Sequence, residues 1–481
     1  MSSPVGIKAC GAYLPRARLE RAAIAAATGW ASGMRGGKAA GRRAAGNWDE
    51  DALTMAVEAG RDCLAGVDRR SVRALAFAST SFPFDDRSNA GVVATALDLS
   101  ETVRSADVAG TQRAGTTALG DALSRAQADG GDALLVAADR RRTRPASAQE
   151  MTYGDGAAAL LLGRGPGLLA ELLASAAITA DFVDHHRSSG EDYDYALEDR
   201  WVRDEGYLKL VPRAVAAALA GAGLEAGAVG HFVLQAPKRH ATATARACGI
   251  AATAIVDDLS SECGDTGAAH PLLMLAGVLE RAAAGDVVLV AGFGQGCDAL
   301  LFRVAGQAQR KPVAAALAAG IEDREYLRFL SNQGVVDVDF GMRAERDNRT
   351  SQSAAWRRHR DVTAFVGGRC RACGTVQYPR MPGCVNPECR ALHTQDDHPL
   401  ADTAGRVKTY TEDWLAYARS PPLVYGNVAF EDGGNVFIEF ADTPAGTLEV
   451  GAPTRFVFRI KDFDRLRGFR RYAWKATPAR T

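Results

Sequence analysis

The sequence predicts an α/β layered body followed by a small, separate module rich in β-strands. Three observations carry that prediction. Over residues 1 to about 305, short apolar strands alternate with alanine-rich helical stretches, the pattern of layered α/β domains. Within that region two stretches echo one another: 132–139 leading to 154–163, and 286–293 leading to 294–302. Each is an apolar strand, a glycine-rich turn and a second apolar strand, which suggests a duplicated unit. Past residue 362 the character changes to two close cysteine pairs and then to alternating, period-2 strands.

Taken in order, strands are expected at 5–12, 72–79, 133–138, 157–162, 231–235, 286–291 and 298–304. Helices such as 115–128, 211–222 and 267–283 lie between them. The two echoing segments each close one half of the body, so its halves are placed at 1–164 and 165–305. Residues 306–362 read as a helical linker: 307–311 is polar, 326–330 is a short amphipathic piece, and 343–360 is dense in charge. A metal-pinned ribbon is placed at 363–400 and a small β-barrel at 401–481. The barrel strands are expected at 406–411, 423–430, 435–440 and 454–460, joined by turns such as Asp432-Gly-Gly-Asn and Asp442-Thr-Pro-Ala-Gly.

Composition bounds the function. A chain of 481 residues is too long for one core. Its 57 basic residues equal its 57 acidic ones, so net charge points to neither nucleic acid nor an anionic membrane. Met1 is followed by Ser-Ser-Pro-Val-Gly rather than a basic and apolar leader, and no apolar run is long enough to span a bilayer. The expectation is a cytoplasmic protein. There, nine cysteines read as thiols and metal ligands rather than disulfides. Cys370 and Cys373 form one CxxC pair, and Cys384 and Cys389 form a second close pair. Two tight turns offering two thiolates each suit a tetrahedral Zn²⁺ with no open position, hence a structural site. Cys10, Cys63, Cys248, Cys263 and Cys297 read as small buried hydrophobes.

With these motifs in place, residues 1–305 resemble the thiolase superfamily, closest to hydroxymethylglutaryl-CoA synthases and β-ketoacyl synthase III enzymes. Residues 320–480 resemble a domain that joins a rubredoxin-like zinc ribbon to an OB-fold, through Cys370-Arg-Ala-Cys-Gly-Thr-Val-Gln-Tyr-Pro-Arg380 and the second cysteine pair. The resemblance implies a thiolase-like α-β-α-β-α body, a CoA thioester as substrate and, by default, a homodimer. It also allows a second thiolase-like or metabolic enzyme subunit as partner.

The family's chemistry needs a cysteine at a helix N-terminus, a His and an Asn, and in the synthases a Glu. The nucleophile segment matches Val108-Ala-Gly-Thr-Gln-Arg-Ala-Gly, which puts Gln112 at the cysteine's place. The His motif matches Phe232-Val-Leu-Gln-Ala-Pro-Lys238 and puts Gln235 at the histidine's place. The Asn motif matches Gly264-Asp-Thr-Gly-Ala-Ala269, with Asp265 for Asn. The Glu position falls near Thr80. Only the oxyanion loop, Gly292-Phe-Gly-Gln-Gly296, keeps its pattern. An amide is no nucleophile, so a covalent acyl-enzyme at Gln112 is excluded.

Three functions follow as expectations. The first is an acyl-CoA lyase or aldolase, with Asp265 as a base of raised pKa and Gln112 as donor to the thioester oxygen. His270, Cys263, Tyr207 and His186 are further candidates for that site, the last two on an insertion that includes Asp184-His-His-Arg187. The second is a non-catalytic acyl-CoA-binding or scaffold subunit. The third is nucleic-acid binding through the OB-fold, prompted by a basic tail that includes Arg467 and Arg470. Fused to such a body, that tail reads better as a cradle for the CoA phosphates, alongside Gly292, Gly294 and Gly296.

Overall fold

The structure, a computed structural model, describes residues 3–32, 39–341, 349 and 351–479. The leader reading at Met1 and Ser2, and residues 342–348 and 350 at the start of the charge-dense stretch, lie outside the described residues. The chain divides into two compact units. The first comprises Met1–Asn47, Asp51–Ala94 and Leu99–Val336, and the second Trp48–Glu50, Thr95–Asp98 and Asp337–Thr481.

The first unit is built on one nine-stranded sheet. Its strands are β1 (Val5–Tyr13), β2 (Val72–Ala78), β3 (Arg104–Val108), β4 (Asp132–Asp139), β5 (Gly156–Arg164), β6 (Ala170–Thr179), β7 (His231–Leu234), β8 (Val287–Phe293) and β9 (Gly296–Val304). They lie in the order β7-β8-β9-β6-β1-β5-β4-β2-β3. The duplication is visible in this order. β2 runs parallel to β4, β4 antiparallel to β5 and β5 antiparallel to β1. In the other half β7, β8, β9 and β6 repeat the same three senses. β1 and β6 pair antiparallel where the halves join. Even β3, parallel to β2, has a counterpart in the isolated parallel bridge from Phe232 to Ile255.

Helices cover the sheet because their apolar positions recur at three and four residues. In α1 (Ala52–Cys63) the Asp51 side chain accepts from the Thr54 N–H, and Thr54 answers the Asp51 N–H, a capping box that fixes its start. In α2 (Ala114–Asp129), Ala114, Ala118, Ala122 and Ala126 share a buried face with Leu119 and Leu123, and Gly130 ends the helix in the left-handed region. α3 (Leu210–Ala222) packs on the second half. α4 (His270–Leu279) is buried at all ten residues, because it lies within the core instead of on a surface. The helix expected at 267–283 is therefore a short 3₁₀ turn, Gly267–Ala269, followed by α4, and the helix stops at Leu279.

The expected linker at 306–362 is divided between the units. A helix at Pro312–Ala318, a strand at Ile321–Asp323 paired with Ala17–Glu20, and a helix at Tyr326–Asn332 all belong to the first unit. Phe329 and Leu330 are buried there beside Leu19 and Ile24.

The second unit opens on a three-stranded ribbon, β10 (Val366–Cys370), β11 (Val376–Gln377) and β12 (Gln395–Pro399). Five antiparallel strands follow: β13 (Gly405–Asp413), β14 (Leu423–Phe430), β15 (Asn435–Glu439), β16 (Pro453–Asp464) and β17 (Phe469–Pro478), in the order β15-β14-β13-β16-β17. A bridge from Phe440 to Ala476 brings the two edges of this sheet together. Phe365, Phe430, Phe456, Phe458 and Trp474 fill the interior with ring centroids 5.1 to 6.0 Å apart. No described helix is long and apolar enough to cross a membrane.

Candidate functional site

Gln112 sits in the turn between β3 and α2, two residues before the helix begins. The first N–H groups of a helix have no partner within it, so this turn is a natural place for an acceptor or a developing anion. The β8–β9 turn backs directly onto it. Gly294 has φ of 157°, and a Cβ there would lie 2.6 Å from Thr111 Oγ1 and 3.5 Å from the Gln112 nitrogen. Thr111 Oγ1 donates to the Gly294 carbonyl at 2.9 Å. Gly292 allows the same closeness one layer deeper, since its Cβ would meet Thr116 Oγ1 at 2.0 Å. Behind them Asp298 takes hydrogen bonds from Arg113 at 2.7 Å, Thr116 at 3.0 Å and Thr117 at 2.7 Å, which locks the first turn of α2.

Asp265 and Gln235 meet directly: the Gln235 amide donates to Asp265 Oδ1 at 2.6 Å. The Gly267 N–H at 2.8 Å and Arg141 Nη2 at 2.9 Å reach the same oxygen. Arg141 is 1% exposed and Asp265 30%. The guanidinium of Arg141 also lies 3.6 Å over the Tyr153 ring. The sequence expectation of a raised pKa for Asp265 is corrected here. Burial pushes it up, but Arg141 first, then His270, the Gly267 N–H and Gln235, bring it below the ordinary value. The carboxylate is ionised and held, which makes it a poor proton acceptor. Gly115 packs against the Ala268 carbonyl, where a Cβ would come within 2.1 Å, so the first turn of α2 lies against the turn that follows Asp265.

Three residues named from the sequence take structural or outward places. Cys263 is fully buried, its thiol 3.4 Å from the carbonyl oxygens of Leu259 and Gly264. Burial pushes its pKa up to about 12, so it stays a neutral thiol and is withdrawn as a nucleophile. His270 is 2% exposed. Its Nδ1 accepts the Thr266 N–H at 3.1 Å, so Nε2 carries the proton to the Asp258 carbonyl at 2.6 Å. It pins the start of α4. His186 points outward and packs its ring on Tyr195, 5.4 Å between centroids.

Its neighbour points in. His185 Nδ1 lies 2.7 Å from Asp184 Oδ2, and His185 Nε2 lies 3.3 Å from the Gln112 amide nitrogen. With Nδ1–H donating to Asp184, Nε2 is the lone-pair nitrogen that faces Gln112. Tyr207 completes the wall. A π-helical segment, Val202–Tyr207, delivers its hydroxyl to the Gln235 carbonyl at 3.1 Å and its ring to Phe293, 4.3 Å between centroids. The sequence expectation named His186 within the Asp184–Arg187 segment; in the structure it is His185 that faces Gln112, while His186 is exposed. In a two-residue strand, alternate side chains face opposite ways, and nothing in the sequence says which faces in.

The four cysteines converge as expected. Their sulfurs lie within 4.8 Å of one another, with Cys370–Cys389 at 3.9 Å and Cys373–Cys384 at 3.6 Å. Zn–S bonds of 2.3 Å in a tetrahedron place sulfurs about 3.8 Å apart, so these four residues fit Zn²⁺ and leave no coordination position for a substrate. The basic tail is largely neutralised by acids of its own unit. Arg467 pairs with Asp464 at 2.7 Å, Lys461 with Glu439, Arg471 with Asp462, and fully buried Arg459 with Asp442 at 3.1 Å. Arg470 lies over the Phe463 ring at 5.8 Å. These arginines belong to the second unit, whereas Gly292, Gly294 and Gly296 belong to the first.

Comparison with known proteins agrees with this architecture. Residues 219–304 match the family described as 3-oxoacyl-[acyl-carrier-protein] synthase III C terminal, and residues 359–392 match the ChsH2 rubredoxin-like zinc ribbon domain. A hydroxymethylglutaryl-CoA synthase of Thermococcus gammatolerans is 28% identical over 68% of this chain and 94% of its own. One of Aeropyrum pernix is 28% identical over 71% and 94%. Among solved structures, 3-oxoacyl-(acyl carrier protein) synthase III of Pseudomonas aeruginosa covers 63% of this chain and 99% of its own, with a TM-score of 0.55 at 23% identity. The hydroxymethylglutaryl-CoA synthase PksG of Bacillus covers 71% and 92%, with a TM-score of 0.59 at 18% identity. The chain thus joins a thiolase-like body of the hydroxymethylglutaryl-CoA synthase and ketoacyl synthase III kind to a rubredoxin-like zinc ribbon.

Proposed function

We propose that the first unit binds an acyl-CoA and makes or breaks a carbon–carbon bond beside the thioester, without a covalent acyl-enzyme. Similar proteins support the ligand: one solved hydroxymethylglutaryl-CoA synthase is complexed with CoA, and MvaS is in complex with 3-hydroxy-3-methylglutaryl coenzyme A. The observation that carries the reaction is the chain Asp184–His185–Gln112, a base oriented by a carboxylate and aimed at the residue in the nucleophile's place.

A β-hydroxyl seated between Gln112 and His185 would accept from the amide and donate to Nε2. His185 takes the hydroxyl proton, and Asp184 stabilises the imidazolium. The bond between the α- and β-carbons then breaks. Its electron pair passes to the thioester as an enolate, whose oxygen faces N–H donors at the head of α2 and the β8–β9 turn. The proton on His185 returns to the α-carbon. One β-hydroxyacyl-CoA thus gives a carbonyl compound and a shorter acyl-CoA, with no co-reactant, and the reverse is an aldol addition. Asp265 stays ionised and holds Gln235 and Arg141. The proposal includes a homodimer through the body and an OB-type reading of the edge-closed sheet.

The test is turnover of a panel of β-hydroxyacyl-CoAs, followed by mass spectrometry of the released thioester and carbonyl. His185→Gln should lower kcat by about 10²- to 10⁴-fold, the usual range for a general base. Asp265→Asn should cost less. If the wild-type chain turns over none of the panel, the non-catalytic acyl-CoA-binding role replaces this one.

A further inference from the structure

We infer that Asp194 is the positioning residue that seats His185, an inference that rests on the reading of His185 as the base. His185 lies on a two-strand hairpin, His185–His186 with Tyr195–Ala196, in which Ala196 is its cross-strand partner. Two residues per strand cannot hold themselves together in water. The hairpin must therefore be fixed by what it touches.

Its outer contacts are weak. Arg142 pairs with Asp192 at 2.5 Å, but the two side chains are 43% and 60% exposed. Arg144 lies over Tyr193 at 5.3 Å. Exposed pairs of this kind fix little. Asp194 is different. Its carboxylate is 4% exposed and lies two residues before Ala196. Oδ1 accepts from Arg187 at 2.9 Å, and Oδ2 accepts from the Tyr153 hydroxyl at 3.0 Å. Arg187, on the other limb of the hairpin, also donates to the Thr80 carbonyl. Asp194 therefore ties both limbs at once and ties them to the body.

The tie leads straight to the site. Tyr153 is 8% exposed and carries Arg141 on its ring. Its backbone bridges that of Asp265, with the Asp265 N–H donating to the Thr152 carbonyl at 2.8 Å and the Gly154 N–H to the Asp265 carbonyl at 2.8 Å. The path Asp265–Arg141–Tyr153–Asp194 thus joins the rigid turn to the hairpin that brings His185. At the hairpin's base, Leu197 N–H donates to the Asp184 carbonyl at 3.0 Å, so movement of the second limb moves the Asp184–His185 pair. Asp194 touches no reacting atom. It acts by holding Nε2 at Gln112, where an error of about 1 Å costs on the order of 10²-fold in rate.

The experiment uses the full zinc-loaded chain labelled with ¹⁵N-histidine. Long-range proton–nitrogen spectra should show His185 in wild type as a single tautomer with the proton on Nδ1. Asp194→Asn should give averaged nitrogens at His185, an unchanged His270, and kcat reduced about 10²-fold with KM nearly unchanged. Tyr153→Phe removes one of the two hydroxyl and guanidinium donors and should shift His185 part of the way, which keeps the idea testable if Asp194→Asn misfolds. An ordered Nδ1–H tautomer and wild-type rate in both variants would overturn the inference. If the spectra respond as described while wild type cleaves no β-hydroxyacyl-CoA, the positioning role stands and the proposed reaction fails.

Discussion

Arg141→Met tests the electrostatic core of the site. The guanidinium is 1% exposed, donates twice to Asp265 (2.9 Å to Oδ1, 3.0 Å to the carbonyl) and stacks on Tyr153. Methionine keeps most of the packing and removes the charge. Breaking a buried pair from one side costs about 3–5 kcal/mol. Asp265 is 30% exposed, and water reaching it argues for the lower end, about 3 kcal/mol. In a unit of this size that is a fall in melting temperature of about 4 °C. The pH dependence is the sharper readout. In wild type the Asp265 pKa lies below its ordinary 3.8, so its contribution is present above that pH and lost as pH falls through the folded value. Without Arg141 the burial effect has less opposition, and the folded pKa rises above the unfolded one. The variant then keeps its stability near pH 4 and loses it as pH rises through that higher value. Thermal melts from pH 4 to 8 should show a small gap between the proteins at pH 4 and the full gap at pH 7. Adding Asp265→Asn should recover part of the loss. A gap that is constant across pH, with strictly additive single variants, would refute the pairing argument.

Two further outcomes follow from the geometry. Gln112→Cys should place a thiol beside His185 Nε2, with a pKa below the usual value of about 8.5. Iodoacetamide should label it near neutral pH and leave Cys263, held near 12, untouched; an inert new thiol would mean that Gln112 does not face the site. Metal analysis should find one zinc per chain, and Cys384→Ser should release it and melt the second unit with little change in the ¹⁵N-histidine signal of His185. Loss of that signal together with the metal would contradict a purely structural zinc.

Much of this was legible in the sequence where one local pattern has one physical meaning. Strands such as β4 and β5 are continuous apolar runs and were found almost to the residue. The cysteine pairs admit few other readings. β6, Ala-Glu-Leu-Leu-Ala-Ser-Ala-Ala-Ile-Thr, was missed because alanine and serine carry no strand signal, and it exists through pairing with β9 along its length. β17 read as a basic tail, since its alternate residues Arg471, Ala473 and Lys475 hide the buried Tyr472, Trp474 and Ala476 on the other face. The site shows the same divide. Gln112, Gln235 and Asp265 were placed by motif. Arg141, which lowers the pKa of Asp265, lies over a hundred positions away in sequence, and its effect reverses what burial alone would do. His185 was hidden by its own neighbour, for only the hairpin register sends His185 inward and His186 outward.

The most direct measurement of the central claim is single-turnover cleavage of a β-hydroxyacyl-CoA in D₂O, with the protein mass and the products read from the same quenched sample. The account predicts equal amounts of carbonyl compound and shortened acyl-CoA, one deuterium on the α-carbon of that thioester, and protein of unmodified mass throughout. An acyl adduct on the chain, or release of CoA without a carbonyl product, would contradict it.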